Sequence, residues 1–439
     1  MSQIPEPDPV LAVRAPEPQG LAHATAAPAA CTPTPTYTNC VRFNYTGAIQ
    51  HFTVPVGVTR INARMWGSGG RGYSPAMGQP SPGGGGGFTS GDVSVLPGET
   101  LTVVVGGYTG FGGGGISGPD WGGGGLSGLF SAQLQRPLLV AGGGGTSTYY
   151  SNGEGGAGGA GGGHEGGAGA GRCPGLGAVG ATGGAGGADN SGNRGGRGGN
   201  PGATGGSNSV GKPGGVVPVN GLGGGGGAGA TFADGAYRGG WGGGGYAGGG
   251  GAGFDGGAGS VGGGGGGGSG FAGGPGVSNG VTIAGSGAIA ANTADPLYQP
   301  GIGNSNQHGQ VVLQWEDPVF TVAQVAPDPV DMTPGVTTQM AFTVSADTTV
   351  PAGRTITLVF PSGVALAPGG VVRYICPAAG TNDTLDFTLN PDGSVSVTAP
   401  EIDPSTACFY SVDVQASPDP VQGSITVGGS TGTTSFSIS

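Results

Sequence analysis

Glycine fills 112 of the 439 positions, about a quarter against a usual share of roughly 7%, and in the middle of the chain it falls in step. It stands at 153, 156, 159 and 162, then at 177, 180, 183 and 186. Asp189 breaks the phase, and glycine returns at 192, 195 and 198; a further phase covers 199, 202 and 205, then 211 and 214. Polyproline-II geometry has three residues per turn, so glycine at every third position gives such a helix one bare face. Bare faces let backbones approach closely and bond to one another, which satisfies buried peptide groups without a side-chain core. The phase slips and proline is sparse, which does not fit a collagen triple helix. A disordered linker is the rival reading, because glycine pays the largest entropy cost on ordering. The recurring period, the strands on both sides and the aromatic residues set into the block favour folded polyglycine-II helices.

Those flanking strands are read from alternation and β-branched residues. They run from Val41 to Trp66, from Gly87 to Val105 and over Arg136–Ala141, and resume at Val281–Ile283 and Gly309–Glu316. The economical account is an all-β chain in which a β-sandwich over 41–316 is interrupted by one glycine-rich insertion at about 142–275. Residues 1–40 are Pro/Ala-rich without a hydrophobic period, which predicts an extended arm. After Asp317 glycine falls and short strand-like runs follow one another to Ile438, the spacing of an immunoglobulin-like sandwich over 317–439.

Phe52-x-Val-Pro-x-Gly-Val58, Ile61 and Trp66-Gly-Ser-Gly-Gly70 form an entry strand. Leu138-Leu-Val-Ala-Gly-Gly-Gly-Gly145, the blocks holding Trp241 and Tyr246, and the closing strand His308-Gly-Gln-Val-Val-Leu313 follow it. In this order they resemble the glycine-rich domain family known in bacterial surface proteins, phage tail adhesins and the anaplastic lymphoma kinase ectodomain. The resemblance implies polyglycine-II helices bundled on a jelly-roll-like β-sandwich and fixes no ligand. The kinase's catalytic and membrane-proximal parts have no counterpart here, so cytokine recognition does not carry over. The C-terminal part resembles the Ig-like repeats of bacterial surface proteins.

Charge and cysteine narrow the partners. The formal charge is −11 and charged residues make up only 8%, which disfavours general binding to phosphate backbones; Arg194 and Arg197 read as caps of glycine turns. No apolar run is long enough to span a bilayer. The N-terminus lacks the basic and apolar regions of a signal peptide, although Ala22-His23-Ala24 fits a cleavage site. Cys31 with Cys40, and Cys376 with Cys408, read as disulfides of an oxidising compartment, with all five cysteines reduced as the alternative. Cys173 is left over as a free thiol. The sequons at Asn44 and Asn382 fit an exterior location.

A chain this rich in glycine manufactures catalytic motifs by chance. Gly67-Ser-Gly69-Gly-Arg-Gly72 matches a dinucleotide fingerprint, but the Pro/Gly run after it cannot start the helix that would hold a pyrophosphate. Gly206 to Lys212 nearly matches a P-loop, with Pro213 where a magnesium-binding hydroxyl belongs. Ser278 and Ser430 sit in G-x-S-x-G without a strand-to-helix elbow. His23, His51, His164 and His308 have no triad context, so no catalytic residue, cofactor or metal site is assigned. The calcium nonapeptide is present only in part and once, at 250–255, and Asp328 and Asp331 are the remaining calcium candidates. The aromatic residues within the block (Trp121, Tyr149, Tyr150, Tyr237, Trp241, Tyr246, Phe254 and Phe271) either plug its contact with the sandwich or display faces for sugars. Tyr237, Trp241 and Tyr246 are the candidates for ligand contact. The expectation is a non-enzymatic extracellular or cell-surface structural or adhesive protein. Its partners would be further copies of itself or a glycan or host receptor, with assembly through the arm; the alternative is a phage tail-tip adhesin on a virion.

Overall fold

The computed structural model describes residues 28–55, 57–73, 81–118, 121–131, 133–148, 156–187, 195–208, 214–219, 222–230, 239–253, 262–317, 320–326, 333–346, 354–360, 363–376, 381–391, 393–399, 401–402, 407–416, 423–428 and 433–438. Among these residues there is no helix, and every strand pairing is antiparallel. The first unit holds β1 (Ala29–Ala30), β2 (Asn39–Phe43), β3 (Gln50–Thr53), β4 (Arg60–Trp66), β5 (Phe88–Ser94), β6 (Thr100–Val104), β7 (Ile116–Gly118), β8 (Trp121–Gly122), β9 (Ser127–Ser131), β10 (Arg136–Ala141), β11 (Val277–Ile283) and β12 (Gln310–Trp315). A six-stranded sheet in the order β1-β2-β12-β4-β5-β11 faces a four-stranded sheet in the order β10-β9-β6-β3.

Alternation explains the pairing of faces. In β4 the residues Ile61, Ala63 and Met65 point inward while Arg60, Asn62 and Arg64 point out. The inward set joins Phe43, Val93, Leu101, Val103, Leu129, Leu139, Val311 and Leu313 in one core fed by both sheets. At roughly 1.5–3 kcal/mol for each large apolar side chain removed from water, this core holds the first unit together. A second apolar layer lies on the outer face of the larger sheet, where fully buried Trp66 meets Phe88 at 5.0 Å and donates its indole N–H to the Ala291 carbonyl at 3.1 Å.

The glycine runs bond differently. They form neither an α-helix nor a two-partner ladder; successive N–H groups go to different neighbours, and every third returns to the same one. Gly265 and Gly268 donate to Thr146 and Gly143 of a single run, both at 2.9 Å, while Gly266 and Gly267 between them donate to Gly250 and Gly167. Gly143 and Thr146 donate in turn to Gly244 and Trp241, with Gly144 and Gly145 serving Ser68 and Gly159. Gly84 and Gly87 repeat the rule against Gly145 and Gly142. Peptide groups, buried and mutually satisfied, thus replace a side-chain core.

Strand direction places this lattice at one end of the sandwich. β4, β6 and β10 run into Gly67, Gly106 and Gly142, and β5 and β12 leave Gly87 and Gly309. The opposite end carries the turn at Leu96–Glu99, the β9–β10 loop and the exit to residue 317.

The second unit comprises β13 (Phe320–Ala326), β14 (Thr337–Ala346), β15 (Arg354–Val359), β16 (Val364–Leu366), β17 (Val372–Cys376), β18 (Thr381–Leu385), β19 (Phe387–Leu389), β20 (Val395–Ala399), β21 (Cys408–Ala416), β22 (Gly423–Gly428) and β23 (Thr433–Ile438). Its sheets run β13-β14-β21-β17-β18, with β16 also on β21, and β19-β20-β15-β22-β23. Met340, Phe342 and Val344 of one sheet meet Ile356, Leu358, Val395 and Val397 of the other in a single core. Both expected disulfides form. Cys376 and Cys408 lie 4.3 Å apart at Cα on β17 and β21, neighbours within one sheet, so this bridge staples a sheet rather than joining two.

Residues 28–40, which fall within the expected extended arm, are tied to the sandwich: β1 pairs with β2, and Cys31 bridges to Cys40 with their Cα atoms 5.1 Å apart. Hydrogen bonds and a disulfide hold this hairpin, and neither leaves a hydrophobic period in the sequence.

Candidate functional site

The clasp that holds the hairpin is a polar cluster on the outer face of the larger sheet. Arg60, Asn62 and Arg64 share the outer face of β4 because alternation sends every second side chain there. Asp92, on the neighbouring β5 and almost fully buried, accepts from Asn62 Nδ2 at 2.9 Å and Asn279 Nδ2 at 2.8 Å, and pairs with Arg60. Tyr37 of the hairpin reaches Asp92 with its hydroxyl at 3.4 Å. Thr34 donates its backbone N–H to Gln314 Oε1 at 2.7 Å, and Arg64 pairs with Asp295 at 2.8 Å. Burial works against the Asp92 carboxylate, but the bonds from Asn279, Asn62 and Arg60 outweigh it and hold its pKa below the usual range. Burial, and then the Asp92 charge, raises the Tyr37 hydroxyl. The donors of Asn62, Asn279 and Arg60 are spent on Asp92, and Tyr37 and Thr34 tie the hairpin to the sheet through Asp92 and Gln314.

A second cluster lies where the sandwich meets the glycine lattice. His308 stacks on Tyr45 with ring centroids 3.8 Å apart and planes 9° from parallel, and Tyr108 approaches its ring at 4.8 Å. The His308 pKa is lowered because burial penalises the imidazolium. Its Nδ1 has no hydrogen-bond partner among the described residues.

The proposed ligand-contact residues separate. Trp241 is 3% exposed: its backbone N–H donates to Thr146 Oγ1 at 2.6 Å, and its ring occupies the space a Cβ on Gly115 would need. At that burial neither ring face is open to a sugar, so Trp241 packs the lattice. Tyr246 is half-buried and stacks on Phe271 at 4.2 Å beside Val104, Leu126, Phe130 and Val140 on the outer face of the smaller sheet. Tyr237 lies outside the described residues, as do Tyr149, Tyr150, Phe254, Asp328 and Asp331.

The chance motifs resolve similarly. Gly67, Gly69 and Gly70 bond within the lattice, and Ser278 lies on edge strand β11 with no helix after it. His51 and His164 are exposed, and His23 and Ser430 are outside the described residues. Among the described residues no three His, Cys, Asp or Glu side chains converge as a metal site. Cys173 forms no disulfide. No helix among the described residues is long and apolar enough to cross a membrane. No protein-family model matches this chain, and no curated protein matches it significantly.

Proposed function

We propose that this is a non-enzymatic, extracellular structural or adhesive surface protein in which bundled polyglycine-II helices form a rigid body on a jelly-roll-like sandwich. The observation that carries the reading is the three-way bonding of the glycine runs. Residues i and i+3 bond the same neighbour, and the two between them bond others, as three residues per turn would require. Such a body presents few functional groups, so its use is to hold and to space. The C-terminal unit, with two sheets around one core, is read as the Ig-like element that docks or spaces it. Two disulfides are in keeping with a location outside the cell. Assembly into a filament or surface layer is assigned to the segment before residue 28, which enters the sheet through the clasped hairpin.

The test is twofold. Intact producing cells treated with an impermeant thiol or amine label should show this chain oxidised and accessible; a reduced chain found only after lysis refutes the location. Electron microscopy of the purified full chain should show ordered assemblies that vanish when residues 1–27 are deleted; unchanged assemblies after deletion remove the arm from the mechanism.

A further inference from the structure

The end of the sandwich remote from the glycine lattice contains a cavity of about 210 Å³. Leu101 and Leu138 form part of its wall, Leu96 and Leu134 stand at its rim 63% and 54% exposed, and Pro275 and the half-buried Glu99 complete the side facing the turn. Two leucines this exposed beside an unfilled apolar hollow leave surface that gains free energy when covered. The chain itself carries one segment of matching chemistry. Residues 1–27 hold a single run of four apolar residues, Val10-Leu11-Ala12-Val13, and Arg14 follows it at once. An aliphatic run ending in a cation complements an aliphatic hollow with a carboxylate on its wall.

Direction decides which copy supplies it. β1 is antiparallel to β2, with Ala29 opposite Arg42 and Ala30 opposite Val41, so the chain enters from the lattice end and travels toward the cavity end. Pro28 therefore lies at the lattice end of the sheet, away from its own cavity. The 13 residues between Arg14 and Pro28 reach at most roughly 50 Å when fully extended, a span that can carry Val10–Arg14 to the cavity of a neighbouring molecule in a head-to-tail arrangement. We propose that the cavity bounded by Leu96, Leu134 and Leu138 binds residues Val10–Arg14 of a second copy of this chain. This rests on the assembly reading above and names its contact: a heterologous interface, which propagates rather than closing a dimer.

The experiment uses the full chain with a photoreactive benzophenone amino acid at position 11. Irradiation should give adducts between two chains, mapped by mass spectrometry to Leu96, Leu134 or Leu138. Leu134→Asp and Arg14→Glu should each lower their yield about tenfold, the loss expected from roughly 1.4 kcal/mol. Leu134 is exposed, so its variant should keep the parent melting temperature. Adducts elsewhere, adducts within one chain, or a yield indifferent to Leu134→Asp overturn the proposal. Light scattering separates the two readings. If Leu134→Asp assembles like the parent, the docking site is wrong while assembly stands; if the parent chain never assembles, the assembly reading itself falls.

Discussion

Replacing Gly145 by alanine tests whether the glycine lattice is a specified fold. Gly145 donates to Gly159 at 2.8 Å and accepts from Gly84 at 2.9 Å, so it sits between runs from three parts of the chain. A Cβ there would lie well inside van der Waals contact of the Gly265 carbonyl, backbone that cannot rotate aside. Overpacking of this kind costs about 1–3 kcal/mol or more. Stretching the two hydrogen bonds adds about 0.5–1.5 kcal/mol each, for a total of roughly 2–6 kcal/mol. Gly98→Ala is the control: nothing lies within 4 Å of its Cβ, and only its φ of +78° resists a side chain, at about 1–2 kcal/mol. Denaturant unfolding of both variants, followed by tryptophan fluorescence, should place Gly145→Ala below Gly98→Ala by about 2.5 kcal/mol, the difference between the midpoints of the two ranges. Equal losses, or the reverse order, would refute the claim that close backbone approach is what these glycines provide.

Strong acid should weaken the clasp. The Asp92 pKa in the folded protein is below its ordinary 3.8, so its stabilisation is present above that value and lost as pH falls toward the folded pKa. Asp92→Asn should flatten that limb of a stability-against-pH curve. His308 acts at higher pH: with its folded pKa below 6.5, stability is complete above 6.5 and declines as acidification protonates the unfolded chain first. His308→Phe should keep the Tyr45 stack and abolish that decline, read by thermal melts across pH 4–8. Reduction should cost about 4 kcal/mol through Cys376–Cys408 and about 3 kcal/mol through Cys31–Cys40, from their separations of 32 and 9 residues. The double variants Cys376→Ser/Cys408→Ser and Cys31→Ser/Cys40→Ser measure each separately. Trp241→Ala should destabilise by about 3–5 kcal/mol if the ring is a packing residue; an unchanged melting temperature contradicts that assignment.

Much of the strand framework was legible because alternation is a local property. Ile61, Ala63 and Met65 against Arg60, Asn62 and Arg64 are set by a period of two whatever the sheet becomes. β9 was not legible. Ser127-Gly-Leu-Phe-Ser131 lacks β-branched residues and alternation, yet it is wholly buried between β10 and β6 and so needs no polar face. The hairpin at 28–40 escaped for a related reason, since Gln314, Asp92 and Trp315, which hold it, lie 50 or more residues away.

For the glycine block, the sequence alone determined that backbone must pack on backbone: so few side chains leave peptide hydrogen bonding as the only large source of cohesion. It also put forward the pairs Cys31–Cys40 and Cys376–Cys408, with all five cysteines reduced as the alternative, and the structure forms both bridges. Which run lies against which was decided in three dimensions, because the residues are identical and carry no addresses. The flanking strands deliver Gly67, Gly87, Gly106 and Gly142 to one end of the sandwich, and the neighbours follow from that delivery. The same geometry turned Trp241 inward. An aromatic ring among glycines can face water or fill a gap, and only the presence of a gap over Gly115 settles the choice.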